Sequence, residues 1–319
     1  MRVGLVVDAT CDLPEAWLRA HRVRVLPIVL RVGEQRLIDQ REAQATQVFY
    51  QQHLPRGGAL DHSEPLPVPE LQQWLLDELV NEFDYLLCLT VASQRSQIFE
   101  HATQASFGLL QQYRARRAEA GLSGPFAMRV IDSKSVFAGV AVLAAEGMRL
   151  IAEGAHPNAV RARLEQLALQ TCTFIVADDL AHLRQRGFQK GDRSGLLDKV
   201  RGAALGLGSL LDVKPVLSIQ SGDDKPVALA PSFDKAAHKL FAHVVERVQG
   251  AELLAPHLCL SYAGDLSLVR DLPGFAELEQ ACQAHGVALH LAMLSATGAI
   301  NIGRGALSLA YAAAPKAFA

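Results

Sequence analysis

Cysteine is scarce in this sequence and is never closely paired. The five cysteines among 319 residues are scattered, and no two of them form a Cys-x-x-Cys pair. Disulfide scaffolds and structural zinc sites both need cysteines in sets with short spacing. The cysteine pattern therefore argues against either feature and favours a reducing compartment, so we expect a cytoplasmic protein.

An excess of positive charge and a long apolar run are also missing. Lys and Arg number 31 and Asp and Glu number 33, so the net charge is −2. Such a charge provides no electrostatic attraction for a polyanion. The longest apolar stretch, residues 136–145, is shorter than the roughly 20 residues that a membrane span needs. The apolar residues 3–7 fall short of the roughly 7–15 of a signal peptide. We therefore expect no nucleic-acid partner and no membrane insertion.

The motifs of common catalytic centres are absent as well. Ser63, Ser93 and Ser96 lie in predicted loops, with His62 and His101 nearby in sequence. However, there is no G-x-S-x-G elbow, and no spacing links a serine to a base that a carboxylate orients. We predict no catalytic residue and interpret these serines as loop hydroxyls that cap helices or hold a ligand.

Metal and phosphate motifs are equally weak. Asp178 and His182 are four residues apart, which suits two metal ligands on a helix, but no third ligand accompanies them. The glycine-rich residues 202–208 and 303–305 lack the spacing of a nucleotide-binding loop. We interpret residues 202–208 as turns at which backbone segments pack closely. The second, with the small residues 295–298 before it, is a candidate loop for the polar end of a ligand.

The sequence does contain apolar strands that end in short polar loops. Three predicted strands, at residues 5–7, 85–90 and 128–132, are each followed by a loop rich in Asp, Ser or Thr and then by a helix. Ligands of open α/β sheets bind at the carboxyl ends of such strands. Asp8 and Thr10, which follow the first strand, therefore lie where a ligand site is expected.

Turn and cap residues predict local details of the N-terminal part. Asp12 is predicted to cap the first helix. Pro27 breaks the strand predicted at residues 23–32, and Thr46 is predicted to cap a second helix. Residues 54–70 are predicted to form a long loop.

The length of the chain and a break in its pattern predict two domains. Residues 154–157 interrupt a long helix, so we place an N-terminal α/β domain at 1–155 and a C-terminal domain at 156–319. The second contains strands in hairpin order mixed with helices, which is typical of an α+β domain.

Two function classes are weighed for this chain. A hydroxyl-lined cleft without catalytic motifs indicates a binding protein. The alternative is an enzyme that acts on an acyl or phosphorylated small molecule, with Asp8, Asp61 and Ser93 near the chemistry. A long, closed apolar tunnel between the domains favours the first function, and a short polar pocket favours the second.

Six stretches of the chain, taken in order, match the motifs of one family. They are VVDATCDLP at residues 6–14 (family VTDSTADLP), SEP at 63–65 (TTSQPS), VASQRS at 91–96 (ISSxLSGT), VIDSKSV at 130–136 (VIDSKSV), GSLLDVKPVL at 208–217 (GSLLNIKPIL) and GRGAL at 303–307 (HTGPGALG). The chain thus resembles the DegV family of bacterial fatty-acid-binding proteins, and the resemblance covers nearly its whole length.

This resemblance implies a fold and a function. The fold is an N-terminal Rossmann-like α/β sheet domain followed by a C-terminal α+β domain. One long-chain fatty acid, such as palmitate, lies in an apolar tunnel between them, with its carboxylate under the loops at residues 61–65 and 91–96. The resemblance implies no cofactor and no activity of the chain's own. Its implied partner is an ATP-dependent fatty acid kinase that phosphorylates the bound acid.

The chain departs from the family at several positions near the carboxylate. Asp61 and His62 replace a threonine pair, Asn301 replaces a histidine, Arg304 a proline and Arg95 a leucine. The family's GGR turn corresponds to residues 186–188, where its arginine is absent, and residues 191–200 resemble an insertion. Among the family's carboxylate ligands, Ser93 alone is retained intact.

These departures leave two hypotheses for the head group. In the first, His62, Arg95 or Arg304 has become the anchor of the carboxylate, which Asp61 would otherwise repel. In the second, these charges are solvated and the head group is not a free carboxylate. The predicted ligand-binding residues are Thr10, Asp61, His62, Ser63, Ser93, Arg95, Ser96, Asn301 and Arg304.

Overall fold

The structure is a computed structural model that describes residues 1–54, 61–178, 182–183 and 213–318. The first part of the chain contains β1 (Val3–Asp8), α1 (Glu15–Ala20), β2 (Arg24–Leu26), β3 (Ile28–Val32), β4 (Gln35–Asp39), α2 (Ala43–Gln52), β5 (His62–Pro65), α3 (Val68–Glu78), β6 (Tyr85–Thr90), α4 (Ile98–Glu119), β7 (Ala127–Asp132) and α5 (Ala138–Ala152). The second part contains α6 (Pro157–Ala168), β8 (Thr171–Val176), β9 (Lys214–Gln220), β10 (Asp223–Ala230), α7 (Phe233–Gln249), β11 (Leu253–Tyr262), α8 (Ser267–Arg270), α9 (Phe275–Ala284), β12 (Ala288–Met293), α10 (Ala296–Ile302) and β13 (Leu307–Ala313).

Within these ranges the strands form three sheets. The N-terminal sheet is parallel, with the order β2-β1-β6-β7. The C-terminal sheet has the order β10-β9-β8-β13-β11-β12, and its neighbours are antiparallel except for β11 and β12. A small antiparallel sheet has the order β4-β3-β5. These sheets and their helices confirm the predicted α/β class.

Pro27 separates two strands that belong to different sheets. Residues 24–26 pair in parallel with β1, whereas residues 28–32 pair antiparallel with β4 and β5. Proline lacks a backbone N–H and cannot continue a hydrogen-bonded ladder. The chain therefore leaves one sheet and enters the next at the residue where the sequence predicts a break.

Two local predictions in this region are wrong. Thr46 does not cap α2, which begins at Ala43; the Thr46 hydroxyl lies inside the helix and donates to the Glu42 carbonyl at 2.9 Å. The predicted loop at 54–70 contains strand β5 and the start of α3, while residues 55–60 lie outside the described residues. Strand β5 is short and polar, so its backbone pairing with β3 rather than an apolar pattern makes it a strand.

Helix α5 is packed between the N-terminal and C-terminal sheets. Its residues 138–147 are all buried. Their apolar cluster includes Leu5 and Val7 of β1 on one side and Cys259 of β11 and Ala310 of β13 on the other. The first two turns of α5 are apolar on all sides, as expected at such a position, and the buried Glu146 farther along pairs with Arg149. No finding tests the predicted division at residue 155, which stays a prediction.

A buried polar network joins the first loop of the chain to its C-terminal part. The predicted N-cap role of Asp12 is wrong, because α1 begins at Glu15 without a side-chain cap. Instead, the Asp12 carboxylate accepts hydrogen bonds from the Ser295 amide at 2.9 Å and the Ser261 hydroxyl at 2.6 Å. These partners are distant in sequence, so only the tertiary fold brings them to Asp12.

Arg41, two residues after the end of strand β4, completes this network. Its Nη1 lies 3.6 Å from Asp12 Oδ1, and its Nη2 donates to the carbonyls of Leu13 at 3.1 Å and Met293 at 3.0 Å. Both charged side chains are almost fully inaccessible to solvent. Burial raises the pKa of Asp12 to about 6, and the Arg41 charge opposes this rise.

None of the helices in the described part of the chain has the length and apolar character that a membrane crossing requires.

Candidate functional site

A cavity of about 140 Å³ lies where the carboxyl ends of β1 and β6 meet the first turns of α4 and α5 and one face of α10. Its lining residues are Thr10, Ser63, Val91, Arg95, Ser96, Ile98, Val136, Phe137, Thr297 and Asn301. This is the edge of the parallel sheet at which ligands of α/β proteins bind. We call it the head-group cavity.

Five of the nine predicted ligand-binding residues line this cavity. They come from four separate segments: Thr10 follows β1, Ser63 lies in β5, Arg95 and Ser96 precede α4, and Asn301 lies in α10. The candidate for a ligand's polar end was residues 303–305 with the small residues 295–298 before them. Residues 295–298 begin α10, with Ser295 at its N-cap, and contribute Thr297 to the cavity, whereas residues 303–305 are not among those that line it.

The cavity side chains present hydrogen-bond donors. Asn301 Nδ2 donates to the Thr297 carbonyl at 2.7 Å and to Ser63 Oγ at 3.2 Å. Ser96 Oγ accepts from the Ile98 amide at 3.3 Å. Because Ser63 and Ser96 are acceptors in these contacts, each hydroxyl keeps its own hydrogen for a further bond.

Asp8 holds the two loops at the cavity together. Its carboxylate accepts from the Thr10 amide at 2.8 Å, the Thr10 hydroxyl at 2.6 Å and the Val91 amide at 2.6 Å. Burial raises the pKa of Asp8, while these hydrogen bonds oppose the rise. The Asp8 carboxylate is thus committed to positioning the loops that follow β1 and β6.

The other four predicted residues are not among those that line the cavity. Ser93 donates from Oγ to Asp132 Oδ2 at 2.6 Å, and Asp61 Oδ1 accepts from the Gly33 amide at 2.9 Å. His62 is exposed, with Nε2 at 3.7 Å from a Glu64 oxygen, and Arg304 is also exposed. Among the three candidate cationic anchors, Arg95 is the one that lines the cavity.

Arg95 also crosses to the C-terminal sheet. Its Nη2 forms an ion pair with Asp224 of β10 and lies 3.5 Å from the Gly222 carbonyl in the β9–β10 turn. The side chains are 18% and 7% exposed, so this ion pair is largely removed from solvent.

Of two further cavity residues, Thr297 belongs to the candidate run at residues 295–298, whereas no sequence pattern indicated Phe137. Thr297 donates from its amide and its hydroxyl to Asp39 Oδ2, each at 2.8 Å, which fixes α10 against β4. Phe137 lies at the N-cap of α5 with φ of 49°, which is unusual for a bulky residue and is typical of a functional site. In the sequence it looks like one more residue of an apolar helix.

Nothing in the described ranges assembles a metal site. Asp178 pairs with Lys214 Nζ at 2.8 Å, and His182 Nε2 lies 2.7 Å from the Ile300 carbonyl. Over the part of the chain that the structure covers, no group of three or more His, Cys, Asp or Glu is arranged to hold a metal ion. The sequence features at residues 186–188, 191–200 and 202–212 lie outside the described residues.

Apolar side chains extend from the cavity toward the C-terminal sheet. Val136 and Phe137 belong to the same buried cluster as Ile175 of β8, Leu217 of β9 and Ile300 of α10. The polar cavity therefore adjoins an apolar region to which both sheets contribute.

The chain is similar to proteins of one family along almost its whole length. The model of the DegV family, described as an uncharacterised protein family, matches residues 2–314. A DegV domain-containing protein from Xanthomonas campestris pv. campestris is 44% identical over 319 residues, which are 100% of this chain and 99% of that protein.

Solved structures share the fold. A DegV lipid-binding protein from Thermotoga maritima has a TM-score of 0.73 and 17% sequence identity, over 98% of this chain and 99% of that chain. A stearic acid-binding protein from Eubacterium ventriosum has a TM-score of 0.74 and 18% identity, over 98% of both chains. The family match spans the chain and the fold agrees with it, so this chain belongs to the DegV family.

Proposed function

We propose that this protein binds one long-chain fatty acid, with its carboxylate in the head-group cavity and its acyl chain against the adjoining apolar cluster. The observation that carries this proposal is the convergence of Thr10, Ser63, Ser96 and Asn301 on one small cavity beside Val136 and Phe137. DegV-fold proteins from Thermotoga maritima and Eubacterium ventriosum bind a lipid and stearic acid respectively.

The cavity suits a carboxylate. A buried carboxylate must receive hydrogen bonds to offset its lost hydration. Ser63 and Ser96 offer hydroxyl hydrogens, and the Asn301 amide orients the first of these hydroxyls. The first turn of the 22-residue helix α4 also meets the cavity, and the partial positive charge of a helix N-terminus favours an anion.

The acyl chain needs more room than this cavity. Its 140 Å³ is below the roughly 300–1,000 Å³ of typical ligand pockets. We therefore propose that the cavity holds only the head group and that the chain follows the apolar cluster between the two sheets. Each methylene buried there contributes about 0.8 kcal/mol to binding.

Of the two head-group hypotheses, the geometry favours a free carboxylate with Arg95 as its nearby cation. Arg95 lines the cavity, whereas His62 and Arg304 are exposed. The expected repulsion by Asp61 is relieved because this carboxylate accepts from the Gly33 amide and is not among the cavity-lining groups.

The proposed role is to carry the acid or to present it to an ATP-dependent kinase as the non-catalytic subunit. The enzyme alternative needs Asp8, Asp61 and Ser93 around one reacting group. Each of them is instead hydrogen-bonded to a different partner: Thr10 and Val91, Gly33, and Asp132. The small, largely polar-lined cavity is the cleft shape that favours the enzyme, whereas the separate partners of these three side chains favour binding. We propose binding because the three side chains do not converge on one reacting group.

Two neighbouring serines test the site. Ser96→Ala is expected to weaken palmitate affinity about tenfold or more, since it removes one hydrogen bond to a charged group, worth about 1.5–3 kcal/mol. Ser93→Ala, the matched control, is expected to stay within about twofold, because its hydroxyl donates to Asp132 instead. Titration with palmitate by calorimetry measures both, and thermal unfolding checks that each variant is folded. If only Ser93→Ala weakens palmitate binding, the carboxylate binds at Ser93, as the family motif implies, and not at Ser96.

A further inference from the structure

We propose that the ion pair between Arg95 and Asp224 is a gate that opens and closes one side of the head-group cavity and so sets the rate of ligand exchange. This inference rests on the proposed function, because it concerns how the fatty acid enters and leaves. The family motifs assign no role to Arg95 or Asp224. At the position of Arg95 the family motif has a leucine.

Arg95 links the cavity lining to exposed residues of the same loop. Arg95 lines the cavity, and the two residues before it, Ser93 and Gln94, are exposed. Ile98 and Phe137, on the inner side of the cavity, are buried. A ligand that passes this side must therefore pass the Arg95 side chain.

The turn between β9 and β10 is shaped to meet the loop before α4. Ser221 and Gly222 both have positive φ, 52° and 88°, as a two-residue hairpin turn requires. A Cβ on Gly222 would lie only 2.3 Å from Gln94 Oε1. The turn and the loop are thus in close contact next to the ion pair.

Each side of this contact is held within its own part of the molecule. The Ala92 amide donates to the Ser135 carbonyl at 2.8 Å, and the Val91 amide donates to Asp8. On the other side, the Ser221 hydroxyl donates to the Leu169 carbonyl at 3.2 Å. The gate therefore opens by separation of two braced segments and not by unfolding of either one.

Elsewhere the N-terminal segments are tied to the C-terminal part by buried bonds. Asp12 binds Ser295 and Ser261, Asp39 binds Thr297, and α5 is packed between the two sheets. These contacts are buried, whereas the Arg95 side chain is 18% exposed and lies beside exposed residues. We therefore place the opening at the side that carries the ion pair.

The test is the rate of ligand exchange in Asp224→Asn. Stopped-flow mixing with the fluorescent fatty acid cis-parinaric acid measures association, and displacement by excess palmitate measures dissociation. A gate controls both directions, so we expect both rate constants to rise, the association rate constant about tenfold or more, the scale of one charge-assisted hydrogen bond. Kd is expected not to rise, because the released Arg95 charge favours the bound carboxylate.

Asp223→Asn is the matched control, since Asp223 is the exposed neighbour at the start of the same strand and its variant has the same change of charge. Its two rate constants are expected to stay within about twofold of wild type. Arg95→Leu should raise the dissociation rate, and Arg95→Leu/Asp224→Asn should raise it no further, because the two residues act as one unit.

A ligand-free measurement separates this inference from the proposed function. Hydrogen exchange at residues 221–224 in the empty protein is expected to be faster in Asp224→Asn than in Asp223→Asn. If the wild-type protein binds no fatty acid, the proposed function is wrong. Hydrogen exchange in the empty protein still tests whether the Arg95–Asp224 ion pair holds the two segments together. If wild type binds but Asp224→Asn matches Asp223→Asn in both measurements, the gate is overturned.

Discussion

Replacing Arg41 by Met is expected to destabilise the folded protein by about 3–5 kcal/mol at neutral pH, the cost of breaking a buried ion pair on one side. Arg41 is buried, faces the Asp12 carboxylate and donates to the Leu13 and Met293 carbonyls. Its removal leaves a buried charge and two carbonyls without these partners. Urea unfolding of the purified variant measures the change in the free energy of unfolding.

The loss of stability caused by Arg41→Met should be smaller at acidic pH than at alkaline pH. Burial raises the pKa of Asp12 to about 6, so the folded protein binds this proton more tightly than the unfolded chain does. The protonated carboxyl therefore adds to the free energy of unfolding at low pH, and this contribution is lost as the pH rises through about 6. Arg41 holds this pKa down, so Arg41→Met raises it further. The variant therefore loses less stability at pH 5, where Asp12 binds a proton, than at pH 8.

Arg36→Met, five residues earlier in strand β4, is the control. Arg36 forms an exposed ion pair with Glu70 at 2.8 Å, and such pairs contribute about 0–1 kcal/mol. Equal losses for the two variants would contradict a special role for the buried network.

Asn301→Asp is expected to weaken fatty acid binding at least about a hundredfold. It places a second carboxylate beside the proposed head-group position, and two like charges about 4 Å apart repel by about 4 kcal/mol at an effective dielectric constant of about 20. Asn301→Leu removes the amide without adding charge, so its affinity should fall only about tenfold. Equilibrium titration with palmitate measures both variants.

Asn158→Asp adds the same charge at a site distant from the cavity lining, where the side-chain oxygen can still accept from Tyr85 at 2.9 Å. Its affinity for palmitate is expected to equal that of wild type. If Asn301→Asp also binds like wild type while it remains folded by circular dichroism, the carboxylate does not lie in the head-group cavity.

Local patterns were sufficient for most of the regular elements. Strand β6 and helix α5 follow from their apolar runs, and the break at Pro27 follows from the chemistry of proline. Strand β5 was missed because its four residues carry no apolar alternation, and its pairing with β3 is a tertiary event.

The site was predictable where polar residues follow strands, and unpredictable where distant segments meet. Thr10 and Ser96 lie in strand-end loops, and the structure brings them to one cavity. Asp12, by contrast, has all the features of an N-cap in sequence, yet it binds Ser295 at the other end of the chain. No sequence pattern indicated a role for Asp224 either. A charge in a hairpin normally faces solvent, and its partner Arg95 is far away in sequence.

Native mass spectrometry of the purified wild-type protein, followed by denaturing extraction and identification of any bound molecule, tests the fatty-acid proposal most directly. The proposal predicts one long-chain fatty acid per chain, and its loss in Asn301→Asp but not in Asn158→Asp. An empty wild-type protein that also fails to take up added palmitate, or a polar or phosphorylated ligand in place of the acid, would contradict it.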